Sequence, residues 1–63
     1  MSWHYSIVNK KGFYAIHENM GEYGITKEPV FVDGDSKEEV IHVLEMMLAD
    51  AKQYPVIGYY DNP

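Results

Sequence analysis

The chain has 63 residues, with ten acids against five lysines, no arginine, and a net charge of −5. One domain of that length buries only about 60% of its unfolded surface, and with no cysteine neither a disulfide nor a thiolate metal site can reinforce it. Self-association is the supplement that remains, while lysines scattered at Lys10, Lys11, Lys27, Lys37 and Lys52 argue against direct nucleic-acid binding.

No apolar run approaches the roughly 18 residues of a membrane span, and Met1-Ser2-Trp3-His4 has no basic leader. A cytoplasmic setting is therefore expected, in keeping with the missing cysteines. The acidic surface serves solubility and also suits a basic partner.

Residues 3–8 alternate as a strand, with Trp3, Tyr5 and Ile7 on one face and His4, Ser6 and Val8 on the other. Asn9-Lys10-Lys11-Gly12 is a turn, and residues 13–18 form the second strand. A tip at Lys10-Lys11 pairs Ile7 with Tyr14, Tyr5 with Ile16 and Trp3 with Glu18. The opposite face then carries Val8 with Phe13, Ser6 with Ala15, and His4 with His17. The first face is the more apolar and is assigned to the core, with Trp3, Tyr5 and Tyr14 in it. Register is the sensitive point, because a slip of one residue exchanges the faces.

Residues 19–24 make a second turn. Residues 25–32 are extended but interrupted at Pro29, which reads as an edge strand or a strand with a break. Asp33-Gly34-Asp35 leads into a helix over residues 37–52. Ser36 is its N-cap and Glu39 completes a capping box. Glu38 and Glu39 suit the positive end of the helix dipole. Val40, Leu44, Met47 and Ala51 share one apolar stripe, widened by Ile41, Val43 and Leu48. Pro55 stops the helix. The aromatic tail, residues 56–63, offers a short further strand, a cover across a helix end, or a reach to a second subunit. The expected fold is α+β: a three-stranded antiparallel sheet on one helix, β-β-β-α, with the tail as an optional strand.

Chemistry is sparse. There is no nucleophile elbow, no phosphate-binding glycine loop and no His-Glu-x-x-His. His4 and His17 are expected cross-strand neighbours, but His42 points away on the helix. A metal site would need a further ligand such as Glu22, so no metal or cofactor is expected. Asp33, Asp35, Glu38 and Glu39 form an acidic cluster that helix capping explains. One helix leaves the second sheet face open, which marks Val8, Phe13, Ala15 and His17, with Tyr59 and Tyr60, as a candidate interface. The rival reading folds the tail over that face.

Two stretches carry a family resemblance. Gly12-Phe13-Tyr14-Ala15-Ile16 is similar to the glycine-then-aromatic second strand of the HicB-like antitoxin domain, and Gly34-Asp35-Ser36-Lys37-Glu38-Glu39-Val40 to its helix entry. That domain is a compact β-β-β-α(-β) fold, a partial, non-catalytic relative of ribonuclease H. Trp3-His4-Tyr5, Ile16-His17-Glu18 and Met47-Leu48 also resemble short uncharacterised bacterial and phage proteins that open Trp-x-Tyr. The resemblance implies the fold, the lack of catalysis and a tendency to dimerise. HicB antitoxins usually add a DNA-binding domain and a Pro-Gly-Cys element before the helix. Here Val32-Asp33-Gly34 stands in that place, and residues 1–63 are read as one domain without a DNA-binding one.

The functional expectation is a non-enzymatic, HicB-like protein-binding module whose partners are itself and another protein. One alternative is a small acidic phage or mobile-element inhibitor that uses Asp33, Asp35, Glu38 and Glu39 to block a basic site on a nucleic-acid-handling host defence enzyme. The other is a small-ligand binder using the aromatic sheet face.

Overall fold

The structure is a computed structural model that describes residues 3–60. Its elements run β1 (His4–Asn9), β2 (Tyr14–Asn19), a 3-10 turn (Gly21–Tyr23), α1 (Lys37–Gln53) and β3 (Ile57–Gly58). The sheet has the order β2-β1-β3 and is mixed: β1 pairs antiparallel with β2 and parallel with β3. The protein is α+β, with α1 packed on the central strand β1.

Two expectations about the sheet need correction. The third strand is the tail, and it runs parallel to β1, so the sheet is not all antiparallel. A parallel neighbour needs a long crossover, which the chain between β1 and β3 provides, with α1 as its largest part. Residues 25–32, expected as an edge or broken strand, lie along the free edge of β2 with only an isolated bridge between Asn19 and Ile25. The N–H of Thr26 donates to the Glu18 carbonyl (3.0 Å) and that of Val30 to Ile16 (2.8 Å). Four residue steps on this segment thus span two on β2. Pro29 falls inside that slack, where no N–H is asked for.

The hairpin register differs by two residues from the expected one: Ile7 faces Ile16, Tyr5 faces Glu18 and Ser6 faces His17. Because the shift is even, each strand keeps its two face sets. The cause is a wider loop. Lys10 N–H donates to the Phe13 carbonyl (2.7 Å), and Gly12 N–H to the Asn9 side chain (2.9 Å). Lys11 and Gly12 both take positive φ (57° and 100°), a loop Gly12 makes possible.

The choice of core face is overturned. Ser6, Val8 and His17, on the face expected to be open, are the most deeply buried sheet residues, whereas Trp3 and Tyr14 on the other face are exposed. Of the expected aromatic core, Tyr5 alone is buried.

Helix α1 begins as its sequence dictates. The Ser36 hydroxyl accepts from the Glu39 N–H (3.2 Å). The return arm differs from a capping box: the Glu39 carboxylate accepts from Asp35 N–H (3.3 Å), one residue before the cap. The helix ends at Tyr54, which is extended (φ −107°, ψ 148°) as the residue before Pro55 should be. Asp50 then does a job outside the helix. Strand β3 reaches only Val8 and Asn9, so Tyr5 N–H has no strand partner, and the Asp50 carboxylate accepts from it at 2.9 Å. That charged contact fixes the last turns of α1 to the start of β1.

Candidate functional site

The six residues expected to form an open interface divide into two groups. Val8 and His17 have no exposed surface within a single chain, and Ala15 is half-buried. The tail reaches this face at His17. Tyr59 N–H donates to the Asn9 carbonyl (3.1 Å), continuing from β3. Its ring then lies 5.6 Å from the His17 ring, and its hydroxyl donates to the Lys27 carbonyl (3.3 Å). At the other end of the same face Tyr54 stacks on His4 at 3.7 Å. Tyr59 is therefore a cover rather than a contact surface, and no open sheet face is present there. Phe13 and Tyr60 remain exposed, each at 64%.

Those two flank the hairpin tip. An open cleft of about 240 Å³ lies there, lined by Asn9, Lys11, Gly58 and Tyr60. The Lys11 ammonium stands 5.0 Å over the Tyr60 ring, and Lys10 stands 4.6 Å over Tyr59. Both cations are thus already engaged by π faces, and the net charge of −5 opposes an anionic ligand.

The histidines do not converge. His4 faces Asn19, not His17, so the two imidazoles are diagonal neighbours. The Nδ1–H of His17 donates to the Thr26 carbonyl (2.8 Å), which fixes the tautomer because a carbonyl only accepts. His17 Nε2 and His4 Nδ1 are buried without a hydrogen bond. Between them the Asn19 amide donates to the Ser6 hydroxyl (3.0 Å). His42 is exposed on the far side of α1. Among the described residues no group of three or more His, Asp or Glu side chains could hold a metal ion. Glu22 is exposed in the 3-10 turn.

One ionisable group is clearly perturbed. Burial pushes the Tyr5 phenol above the ordinary tyrosine range, and the nearby carboxylates of Glu18 and Asp50 push the same way. Trp3 closes this corner, edge-on to Tyr5 at 5.0 Å, with its indole N–H donating to Glu18 (3.1 Å). The arrangement holds a tyrosine neutral, which suits packing and supplies no nucleophile or base at neutral pH.

The acidic residues Asp33, Asp35, Glu38 and Glu39 are all exposed at the entry to α1. Gly34 lies tightly against that entry: a Cβ there would meet the Glu39 Cβ at 2.9 Å. Glu39 is committed to the helix start, leaving the other three carboxylates turned to solvent.

The surface that sequence reasoning missed is on α1. Its inward side is Val40, Val43, Met46, Met47, Ala51 and Tyr54, with Met47 buried and the others half-buried. Ile41, Leu44 and Leu48, expected to widen the core stripe, are exposed at 42, 49 and 56%. The signal was present in the sequence. The large apolar positions of α1, from Met46 round to Ile41, span about 220° of the helix at 100° per residue, more than the roughly 100° stripe one core-facing side requires. The excess arc is the exposed stripe. No helix is long and apolar enough to cross a membrane. No protein-family model, curated protein or solved structure matches the chain.

Proposed function

We propose that this protein is a non-enzymatic protein-binding module, HicB-like in fold, that works as an oligomer in the cytoplasm. The observation that carries the reading is the Ile41, Leu44 and Leu48 stripe. Three aliphatic side chains at helical spacing stand in water, while the buried apolar side chains among the described residues are Tyr5, Val8 and Met47. A domain so small gains most from covering such a surface. The element order, two strands, an extended segment, a helix and a short strand, supports the HicB-like part. The cysteine-free composition supports the setting.

The test is solution mass by light scattering. Wild type should be a dimer or larger, Leu44→Glu should shift it to monomer, and Phe13→Glu, at the hairpin tip, should leave it unchanged. A wild-type monomer at millimolar concentration would remove the oligomer half of the proposal.

The exposed carboxylates of Asp33, Asp35 and Glu38 favour a second reading, an acidic inhibitor that occupies a basic site on a nucleic-acid-handling enzyme. Such binding should weaken as salt is raised, and salt-independent binding would discard it.

A further inference from the structure

Resting on the oligomer reading, we propose that the helix stripe takes a second copy of itself, with the two α1 helices antiparallel about a two-fold axis near Leu44 and Glu45. Ile41, Leu44 and Leu48 fall within about 60° of arc on the outer flank of α1. On one side the stripe borders the inward line of Val40, Met47 and Ala51, of which Met47 is buried. On the other it borders Glu38, Glu45 and Lys52, all exposed and seven residues apart, so they form one line along the helix.

That charged line decides the orientation. A two-fold pair of antiparallel helices places each flank against the same flank of its copy, whereas a parallel pair places it against the opposite flank. If the helices ran parallel, the line of Glu38, Glu45 and Lys52 would lie against the partner's Val40, Met47 and Ala51, setting charge on an apolar flank that already packs inward. The two positive helix ends and the clusters of Asp33, Asp35, Glu38 and Glu39 would also lie side by side. If they run antiparallel, Glu38 meets the partner's Lys52 at both ends, the helix dipoles oppose, and one like pair, Glu45 with the partner's Glu45, stays at the axis. The same reversal sets Ile41 against the partner's Leu48, so the aliphatic stripe covers itself along its length.

The absence of cysteine makes the geometry directly readable. A disulfide requires Cα atoms within about 7 Å. In the antiparallel pair residue 44 lies beside its own copy, whereas residue 38 lies about 20 Å from its copy along the axis. On oxidation Leu44→Cys should therefore yield a covalent dimer, and Glu38→Cys alone should not. An equimolar mixture of Glu38→Cys and Lys52→Cys should yield the mixed dimer. Surface charge changes give a second measurement that does not touch the stripe. Glu38→Lys should weaken the dimer about two- to five-fold, and adding Lys52→Glu should restore it. A wild-type dimer in which Glu38→Cys cross-links to itself, or in which the double charge reversal restores nothing, overturns the antiparallel pair and leaves the oligomer reading standing. A monomeric wild type overturns both.

Discussion

Single residues decide how the domain is closed. Gly34 and Gly12 are both needed, for different reasons. At Gly34 a Cβ would sit 2.9 Å from the Glu39 Cβ and 3.4 Å from the Val40 N, so Gly34→Ala must displace the helix entry. A loss of about 1–3 kcal/mol is expected from such overpacking, read by chemical denaturation. At Gly12 nothing lies within 4 Å of the added atom, and the cost is the φ of 100°. Gly12→Ala should cost about 1 kcal/mol, with its side chain free in solvent. Tyr5 supplies a pH signature. Its pKa is raised in the folded state by burial, then by Glu18 and Asp50, so the native state holds the phenolic proton more tightly than the unfolded chain does. Its contribution is complete below the unfolded value of about 10 and is lost as pH rises from there through the folded value. Thermal melts between pH 9 and 11 should fall more steeply for wild type than for Tyr5→Phe. Equal slopes would show that the phenol is not held neutral.

At the level of elements, the parts governed by local chemistry were legible in the sequence. Ser36 caps α1, Pro55 ends it, and the alternation in β1 and β2 sorts residues correctly between two faces. Ser36→Ala should accordingly cost about 1 kcal/mol, measured by urea unfolding. What the alternation could not supply was which face is covered. Trp3, Tyr5, Ile7 and Tyr14 make the more apolar set, yet Ser6, Val8 and His17 are the buried one. The difference comes from what lies on that face: Tyr54, held at the end of α1, stacks on His4, and Tyr59, placed by a parallel pairing of only Ile57 and Gly58 with β1, lies against His17. A two-residue strand carries almost no periodic signal. The site was misread for the same reason. A face assigned to a partner was taken by the chain's own tyrosines, and the surplus apolar arc of α1 was counted as core. Residues 25–32 show the opposite case, where a legible cue, Pro29, correctly marked a break at the sheet edge.

The whole molecule is a thin sheet with one helix, and its stability should depend on how many copies are present. Each half-exposed aliphatic of the α1 stripe that becomes fully covered contributes roughly 1 kcal/mol. Six of them across a two-fold axis supply several kcal/mol, which the loss of translational and rotational freedom partly offsets. The balance suits a reversible dimer dissociating in the micromolar range. Since that dimer binds folded chains only, mass action ties folding to concentration. Between about 5 and 500 μM the wild-type melting temperature should rise by about 5 °C or more, given how steeply small domains respond to 1 kcal/mol. Leu44→Glu should melt at one temperature across that range. Its side chain is about half exposed in the single chain, so the charge harms the monomer little and the comparison isolates association. If wild type also melts at one temperature, the stripe stays in water and the fold stands on Tyr5, Val8, Met47 and the polar contacts around His17. In that case α1 would be free to receive a different protein, and Leu44→Glu would serve as the control for finding it.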